Sequence, residues 1–408
     1  MTRTWWRANR ASVMVAVITC GFTLVLADIA VDALRPPPHP ALIAEAAKRR
    51  NQAFDHRSKL EIVRDLRSVT PGTVPFFNAM DYLSATAQLG IVGTDEVPLS
   101  GLSLSHTVNC NESGAWSTYE SDRHGFNKPD GLWDDSVAVV MLGDSFAMGQ
   151  CVDAGKDAIS VLRARGWAGV SLGYSGNGPL TTYATFVEYA VPLRPSVVIW
   201  LLYDNDPSDL RGERRIPQLM RYVEKNARSD WVNRTLERDA MVRRALTPVI
   251  EGTLQLYPEL TRAQRVRAHL TLFHIRTLAR RIHRDRVVLD DDAQALFREL
   301  LLRVRDQVAS WGGTLVLVRA PSWEYFSSTA PASRTLVDFL DATVAEAGMP
   351  YFDAAAAIAS SDPWPAFAQR EAVSAHYSEE GYRRLAFALD SVLRAERAAT
   401  QARLVERR

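Results

Sequence analysis

The chain has 408 residues, of which 47% are apolar and 23% charged, and its formal net charge is +1. That length suits one large core with appendages rather than a single small domain, and the balanced charge directs the chain toward neither nucleic acid nor an acidic partner. The three cysteines, Cys20, Cys110 and Cys151, show no CxxC or zinc-type spacing. The histidines form no HxxxH pair and there is no Walker-type loop, so neither a metal enzyme nor a nucleotide enzyme is indicated and no cofactor is expected.

Residues 11–27 (ASVMVAVITCGFTLVLA) carry no charge. As a helix they reach about 25 Å, slightly short of the ~30 Å hydrocarbon core of a bilayer. Extension to Leu34 completes a span but takes in Asp28 and Asp32, which are costly at mid-bilayer and cheaper near an interface. Arg3, Arg7 and Arg10 come before the run, and Trp5 and Trp6 stand where an aromatic belt would lie. The basic flank predicts a cytosolic N-terminus, a single span through residues 11–34 and an extracytoplasmic (periplasmic) remainder. Two other readings of the run are a signal peptide cleaved after Val25-Leu26-Ala27 and a buried core helix. Both membrane readings export the C-terminal domain.

Pro36–Pro38 and Pro40 end any helix after the span. Residues 41–68 read as a polar helical stalk. Residues 70–135, rich in Gly, Pro, Ser and Asn, read as irregular structure with short strands, wrapped on the next domain. From Ser136 the pattern changes. Ser136–Leu142 is a short continuous apolar run, as in a strand buried on both faces. Gly169–Leu172, Ser196–Leu202, Thr314–Val318 and Met349–Phe352 are read as further strands. Helical segments separate them: 156–165, then a stripe at Leu180, Ala184, Val187 and Val191, and last a helix capped by Ser378 with Tyr382, Leu385, Ala386, Leu389 and Val392 on its apolar face. Strands alternating with helices predict a parallel sheet covered on both faces. Residues 211–310 interrupt the alternation with an arginine-dense helical insertion, which reads either as a solvated surface or as a groove for an anionic polymer or lipid head groups. The predicted organisation is 1–35 cytosolic tip and anchor, 36–135 stalk and wrap, 136–395 α/β domain with 211–310 inserted, and 396–408 a basic tail.

In an open parallel sheet, ligands bind beyond the carboxyl ends of the strands. Gly143-Asp144-Ser145-Phe146 comes after the first strand, where a serine is exposed at the rim and its own N–H can face the atom its hydroxyl attacks. Ser175-Gly176-Asn177-Gly178 comes after the second, where a glycine lets a substrate oxygen approach bare backbone. Tyr203-Asp204-Asn205-Asp206 comes after the third, and an asparagine amide can donate to an oxyanion. His376-Tyr377-Ser378 precedes the last helix. Each of these segments alone reads as an ordinary turn or cap. Together, on one sheet edge in the order Ser, Gly, Asn, His, they read as a nucleophile, two oxyanion donors and a general base.

This order resembles the motif blocks of the SGNH (GDSL-like) hydrolase superfamily. Ser145 matches the nucleophile, Gly176 the second-block glycine, Asn205 the third-block asparagine and His376 the base. The resemblance covers residues 136–395 apart from the insertion. It implies a flavodoxin-like three-layer parallel sheet, the SGNH hydrolase fold. It also implies ester hydrolysis or acyl transfer through a serine ester. Tyr119–Asn127 (YESDRHGFN) resembles the stretch before GDSF in membrane-anchored bacterial relatives, some of which accompany cell-surface polysaccharide synthesis. The implied substrate is therefore a carbohydrate ester, most simply an acetyl. An O-acetyltransferase fed by a multispan acyl-donor partner and a non-catalytic glycan-binding protein are the alternatives. One feature departs from the family pattern: the aspartate usual two or three residues before the histidine is replaced by Val373 or Ser374. A backbone carbonyl, Glu371 or Asp353 could orient His376 instead, or activity could be weakened or lost. Finally, Cys110 and Cys151 are the two cysteines of the exported part, and an oxidising compartment predicts a disulfide between them, beside the nucleophile.

Overall fold

The computed structural model describes residues 3–35, 39–91, 95–256, 260–286, 290–327, 331–369 and 375–406. They group into two units: residues 1–38 with 257–288, and residues 39–256 with 289–408.

In the first unit the helix Arg3–Ala33 packs against the helices Arg262–Leu270 and Phe273–Arg286. Within it, Asn9–Ala33 is long and apolar enough to cross a membrane. Its apolar side chains at Met14, Val15, Val17, Ile18 and Phe22 are exposed, unlike those of a core helix.

The second unit begins with short strands β1 (Val74–Pro75), β2 (His106–Val108) and β3 (Thr118–Glu120), in which β1 runs parallel to β2 and β2 antiparallel to β3. The main sheet comprises β4 (Val139–Leu142), β5 (Gly169–Ser171), β6 (Val197–Tyr203), β7 (Thr314–Ala320) and β8 (Tyr351–Asp353). Its order is β5-β4-β6-β7-β8 and every pairing is parallel. The strand that leads to Ser145 is therefore an inner one. Chain order and spatial order diverge at β4, the switch point where such sheets open a crevice for ligands.

Alternation along the strands divides the core into two layers. Val140, Leu142, Val198, Trp200, Leu202, Leu315 and Leu317 face one side, with Leu180, Ala184, Val242, Phe297, Leu300 and Val304 packed on them. Val139, Met141, Ile199, Leu201, Val316 and Val318 face the other, under Ile159, Leu162, Tyr382, Leu385, Ala386 and Leu389. The result is a three-layer α/β fold. Phe76, Phe77, Tyr82, Leu99, Leu102 and Phe126 from the segment before β4 join the first layer, so that segment is integral to the core.

The inserted region divides physically. Helices Pro217–Glu224, Thr235–Ile250 and Asp291–Ala309 place Leu219, Tyr222, Val242, Leu246, Phe297 and Leu301 in the sheet's core. The stretch 257–288 instead groups with the N-terminal helix. Apolar side chains in the first set meet the sheet, whereas Arg262–Leu270 has no buried residue.

Candidate active site

The turn that presents Ser145 is built for glycine. Gly143 leaves β4 at φ +143°, and a Cβ there would run into the Leu201 carbonyl of β6. Asp144 then caps the helix Ser145–Met148, accepting a hydrogen bond from Phe146 N–H at 2.9 Å. The Ser145 N–H is among the first-turn donors that a helix leaves unpaired internally. Burial raises the Asp144 carboxyl above the usual carboxylate range. Its Oδ2 lies 3.5 Å from Ser145 Oγ.

His376 is held by its backbone on both sides. Its carbonyl accepts from Ala368 N–H at 2.9 Å, and Ser378 N–H donates to the Ala366 carbonyl at 2.8 Å. The neighbouring Tyr377 donates its hydroxyl to the Pro321 carbonyl at 2.8 Å. Gly381 lets the last helix start directly against the Ala366 carbonyl, where a Cβ would collide. The imidazole lies against Phe146, with ring centroids 5.0 Å apart. So held, His376 Nε2 lies 2.9 Å from Ser145 Oγ.

The opposite ring nitrogen meets a group that sequence reasoning missed. Glu112 Oε1 lies 2.9 Å from His376 Nδ1, and Glu112 Oε2 accepts the His376 backbone N–H at 2.8 Å. The Glu112 carbonyl in turn accepts from Gln369 Nε2 at 2.6 Å. Of the three orienting groups considered from sequence, Asp353 pairs with Arg319 at 3.1 Å and caps Ala355 N–H at 2.8 Å, and Glu371 lies outside the described residues, as do Val373 and Ser374. The carboxylate comes instead from far upstream, in the segment after β2. Burial lowers the His376 pKa, but the Glu112 charge and hydrogen bond outweigh it, and the net shift is upward. One sequence signal pointed there: Glu112 stands two residues after Cys110.

Cys110 and Cys151 are joined by a disulfide with Cα atoms 5.3 Å apart. Cys151 lies just after the helix Ser145–Met148, so the bond ties the segment bearing Glu112 to the segment bearing Ser145.

Gly176 and Asn205 lie just beyond β5 and β6. Because these strands run parallel to β4, both residues leave the sheet at the same edge as Ser145. Gly176 is exposed, has φ +85°, and lies so close to Asn78 Nδ2 that a Cβ would not fit. Asn205 is exposed and precedes the helix Asp206–Glu213, with Nδ2 donating to Asp209 Oδ2 at 2.8 Å. Neither makes a hydrogen bond to Ser145 or His376 among the described contacts. Beneath them, burial raises Asp206 well above its ordinary value and Asp209 to about 8, and Glu213 is raised by the same cause. Glu213 accepts from Gly178 N–H and Leu180 N–H, both at 2.8 Å, and so fixes the loop that carries Gly176. Asp204 turns away from this edge, to Ser322 N–H at 3.2 Å and Arg319 at 3.4 Å.

A cleft of about 790 Å³ reaches Glu112 from the stalk side; its lining includes Phe54, Arg57, Asn109, Asn111 and Trp116. Chemically, the arrangement offers a hydroxyl hydrogen-bonded to an imidazole whose far nitrogen is paired with a carboxylate. That is the geometry in which a serine can be deprotonated as it attacks.

No protein-family model and no curated protein sequence matches the chain. Solved structures similar to it include a protein described as lipolytic, of the G-D-S-L family, from Desulfitobacterium hafniense, with TM-score 0.35 and 12% identity over 62% of this chain and 96% of that one. TesA gives TM-score 0.34 at 12% identity, over 61% of this chain and 93% of its own. A GDSL-like lipase from Bacteroides thetaiotaomicron gives TM-score 0.34 at 10% identity, over 63% and 88%.

Proposed function

We propose that the protein is a membrane-anchored, extracytoplasmic serine esterase that acts on an acyl ester, in the simplest case acetyl, of a cell-surface carbohydrate. The observation that carries this reading is the chain of contacts Ser145 Oγ–His376 Nε2 and His376 Nδ1–Glu112 Oε1, each 2.9 Å. Ser145 Oγ attacks the ester carbonyl as His376 takes its proton, and Glu112 stabilises the imidazolium. The Ser145 and Gly176 N–H groups and the second amide hydrogen of Asn205 hold the oxyanion. His376 returns its proton to the departing sugar oxygen. Water then attacks the acyl-enzyme with His376 again as base. Phe54, Trp116, Asn109 and Asn111 line the adjoining cleft, and aromatic rings with amides suit a sugar, which presents apolar faces and hydroxyls.

The non-catalytic reading draws its support from the missing aspartate before His376, and Glu112 beside His376 supports the catalytic reading against it. The test is labelling by a fluorophosphonate probe together with acetate release from acetylated glycans. Wild type should label and release acetate, and Ser145→Ala should do neither. A wild-type protein that does not label would overturn the esterase reading. If the acetyl group passes to an added glycan acceptor faster than to water, the same serine chemistry serves an O-acetyltransferase with a multispan acyl-donor partner.

A further inference from the structure

Two acids in an apolar helix need a structural reason. Asp28 and Asp32 are one turn apart in the N-terminal helix and so share a face. Asp28 is fully buried. Across from them, the helices Arg262–Leu270 and Phe273–Arg286 meet at a sharp corner, where Leu272 adopts φ +52°. That corner brings His269, from the end of one helix, and His274, from the start of the next, to the same side, with ring centroids 4.9 Å apart.

The four side chains converge. His269 Nδ1 lies 3.0 Å from Asp28 Oδ2, and its Nε2 lies 3.8 Å from Asp32 Oδ2. His274 Nδ1 lies 3.2 Å from Asp32 Oδ1. Ile275 N–H donates to Asp28 Oδ1 at 2.8 Å, which fixes the carboxylate and leaves Oδ2 turned toward the imidazoles. His274 is 3% exposed, yet among the described residues neither of its ring nitrogens makes a hydrogen bond, the 3.2 Å approach of Nδ1 to Asp32 being an ion-pair contact only. A buried imidazole without a hydrogen bond is costly, and a metal ion is a partner to which a neutral imidazole can offer a lone pair.

We propose that Asp28, His269 and His274 bind a divalent zinc-class ion that ties the helix pair Arg262–Leu270 and Phe273–Arg286 to the N-terminal helix, with Asp32 as a flanking carboxylate. One ligand atom from each of the three lies within 4.8 Å of the others. Tetrahedral zinc with bonds of about 2.0–2.2 Å needs ligand edges of roughly 3.3–3.6 Å, so side-chain adjustments of ~1 Å close the site. Two imidazoles with carboxylate favour zinc over calcium or magnesium, which take oxygen ligands. His269 has a nitrogen on each side. One serves the metal while the other faces a carboxylate, an arrangement that holds the ring and raises its basicity. The ion would also compensate the buried Asp28 charge. None of these residues belongs to the Ser145 site, so the proposal stands apart from the esterase reading.

The experiment uses the full-length chain purified in detergent, stripped with chelator and titrated with Zn²⁺, and separately with Co²⁺, whose visible absorption reports coordination geometry. Wild type should bind one equivalent of Zn²⁺ and show an intense tetrahedral Co²⁺ band. His274→Ala and Asp28→Asn should each weaken binding about 100-fold or more and abolish that band. Far-UV circular dichroism and a monodisperse size-exclusion profile identify variants that still fold. His269→Gln is a second, near-isosteric check should His274→Ala unfold. Wild-type affinity no tighter than that of folded His274→Ala or Asp28→Asn would overturn the site and leave the cluster as His–Asp pairs alone. Mg²⁺ binding as tightly as Zn²⁺ would also overturn it.

Discussion

The pH dependence of the proposed reaction depends on one imidazole. His376 can accept the Ser145 proton only when neutral, and Glu112 holds its pKa above the ordinary value. Activity should therefore rise with pH through a limb above about 6.5, the unperturbed histidine value. Glu112→Gln removes the charge that raises the limb. It should move the limb to lower pH and lower kcat by roughly 10²–10⁴-fold, because the tautomer and the imidazolium lose their partner. A pH profile of kcat/KM for both proteins checks this; an unmoved limb in the variant would mean that Glu112 does not act on His376. Asn205 gives a separate expectation. As an exposed residue whose amide, among the described residues, bonds only to Asp209 of the helix that follows it, it contributes little to folding, and Asn205→Ala should leave the circular dichroism spectrum unchanged. Turnover should nevertheless fall by about 10²–10³, or ~3–4 kcal/mol, if it donates to the oxyanion. Unchanged ester turnover would remove it from the mechanism.

Among elements, the site is assembled from parts far apart in sequence. β4 and its turn supply Ser145, the loop before the last helix supplies His376, and the segment after β2 supplies Glu112. The Cys110–Cys151 bond clamps the last of these to the first across a separation of 41 residues. Closing a loop of that length removes unfolded-state entropy worth about 4 kcal/mol. Replacing both cysteines by serine should lower stability by an amount of that order, read as a shift in the urea midpoint. It should also reduce kcat, because Glu112 loses its tether. A double variant with wild-type midpoint and turnover would show that hydrogen bonds alone, such as Gln369 to the Glu112 carbonyl, place the acid. Burial of the wrap residues Phe76, Tyr82 and Phe126 in the sheet core already makes this segment part of the folded domain.

For the whole molecule, the main expectation is topological. With the helix Asn9–Ala33, long and apolar enough to cross a membrane, preceded by Arg3 and Arg7, everything after residue 35 should lie outside the cytosol. A reporter that works only in an oxidising compartment, fused after Arg408, should be active, and the full-length protein should stay with the membrane fraction. A fusion active only in the cytosol would overturn the topology and remove the compartment that favours the disulfide. Much of this architecture is local information. Continuous apolar runs mark strands buried on both faces, and helices between them imply a parallel sheet. An uncharged run of 17 residues marks a possible span, and turn residues after successive strands fall on one edge because parallel strands point the same way. Ser145, Gly176 and Asn205 were visible as candidates for that reason, and His376 by its place just before the last helix. Two things were not: Glu112, and the meeting of His269 and His274 with Asp28. No periodicity or spacing records which distant carboxylate faces a given imidazole. That is decided only when the chain packs, because the contact depends on a disulfide, a positive-φ corner and buried helix faces that come from separate parts of the sequence.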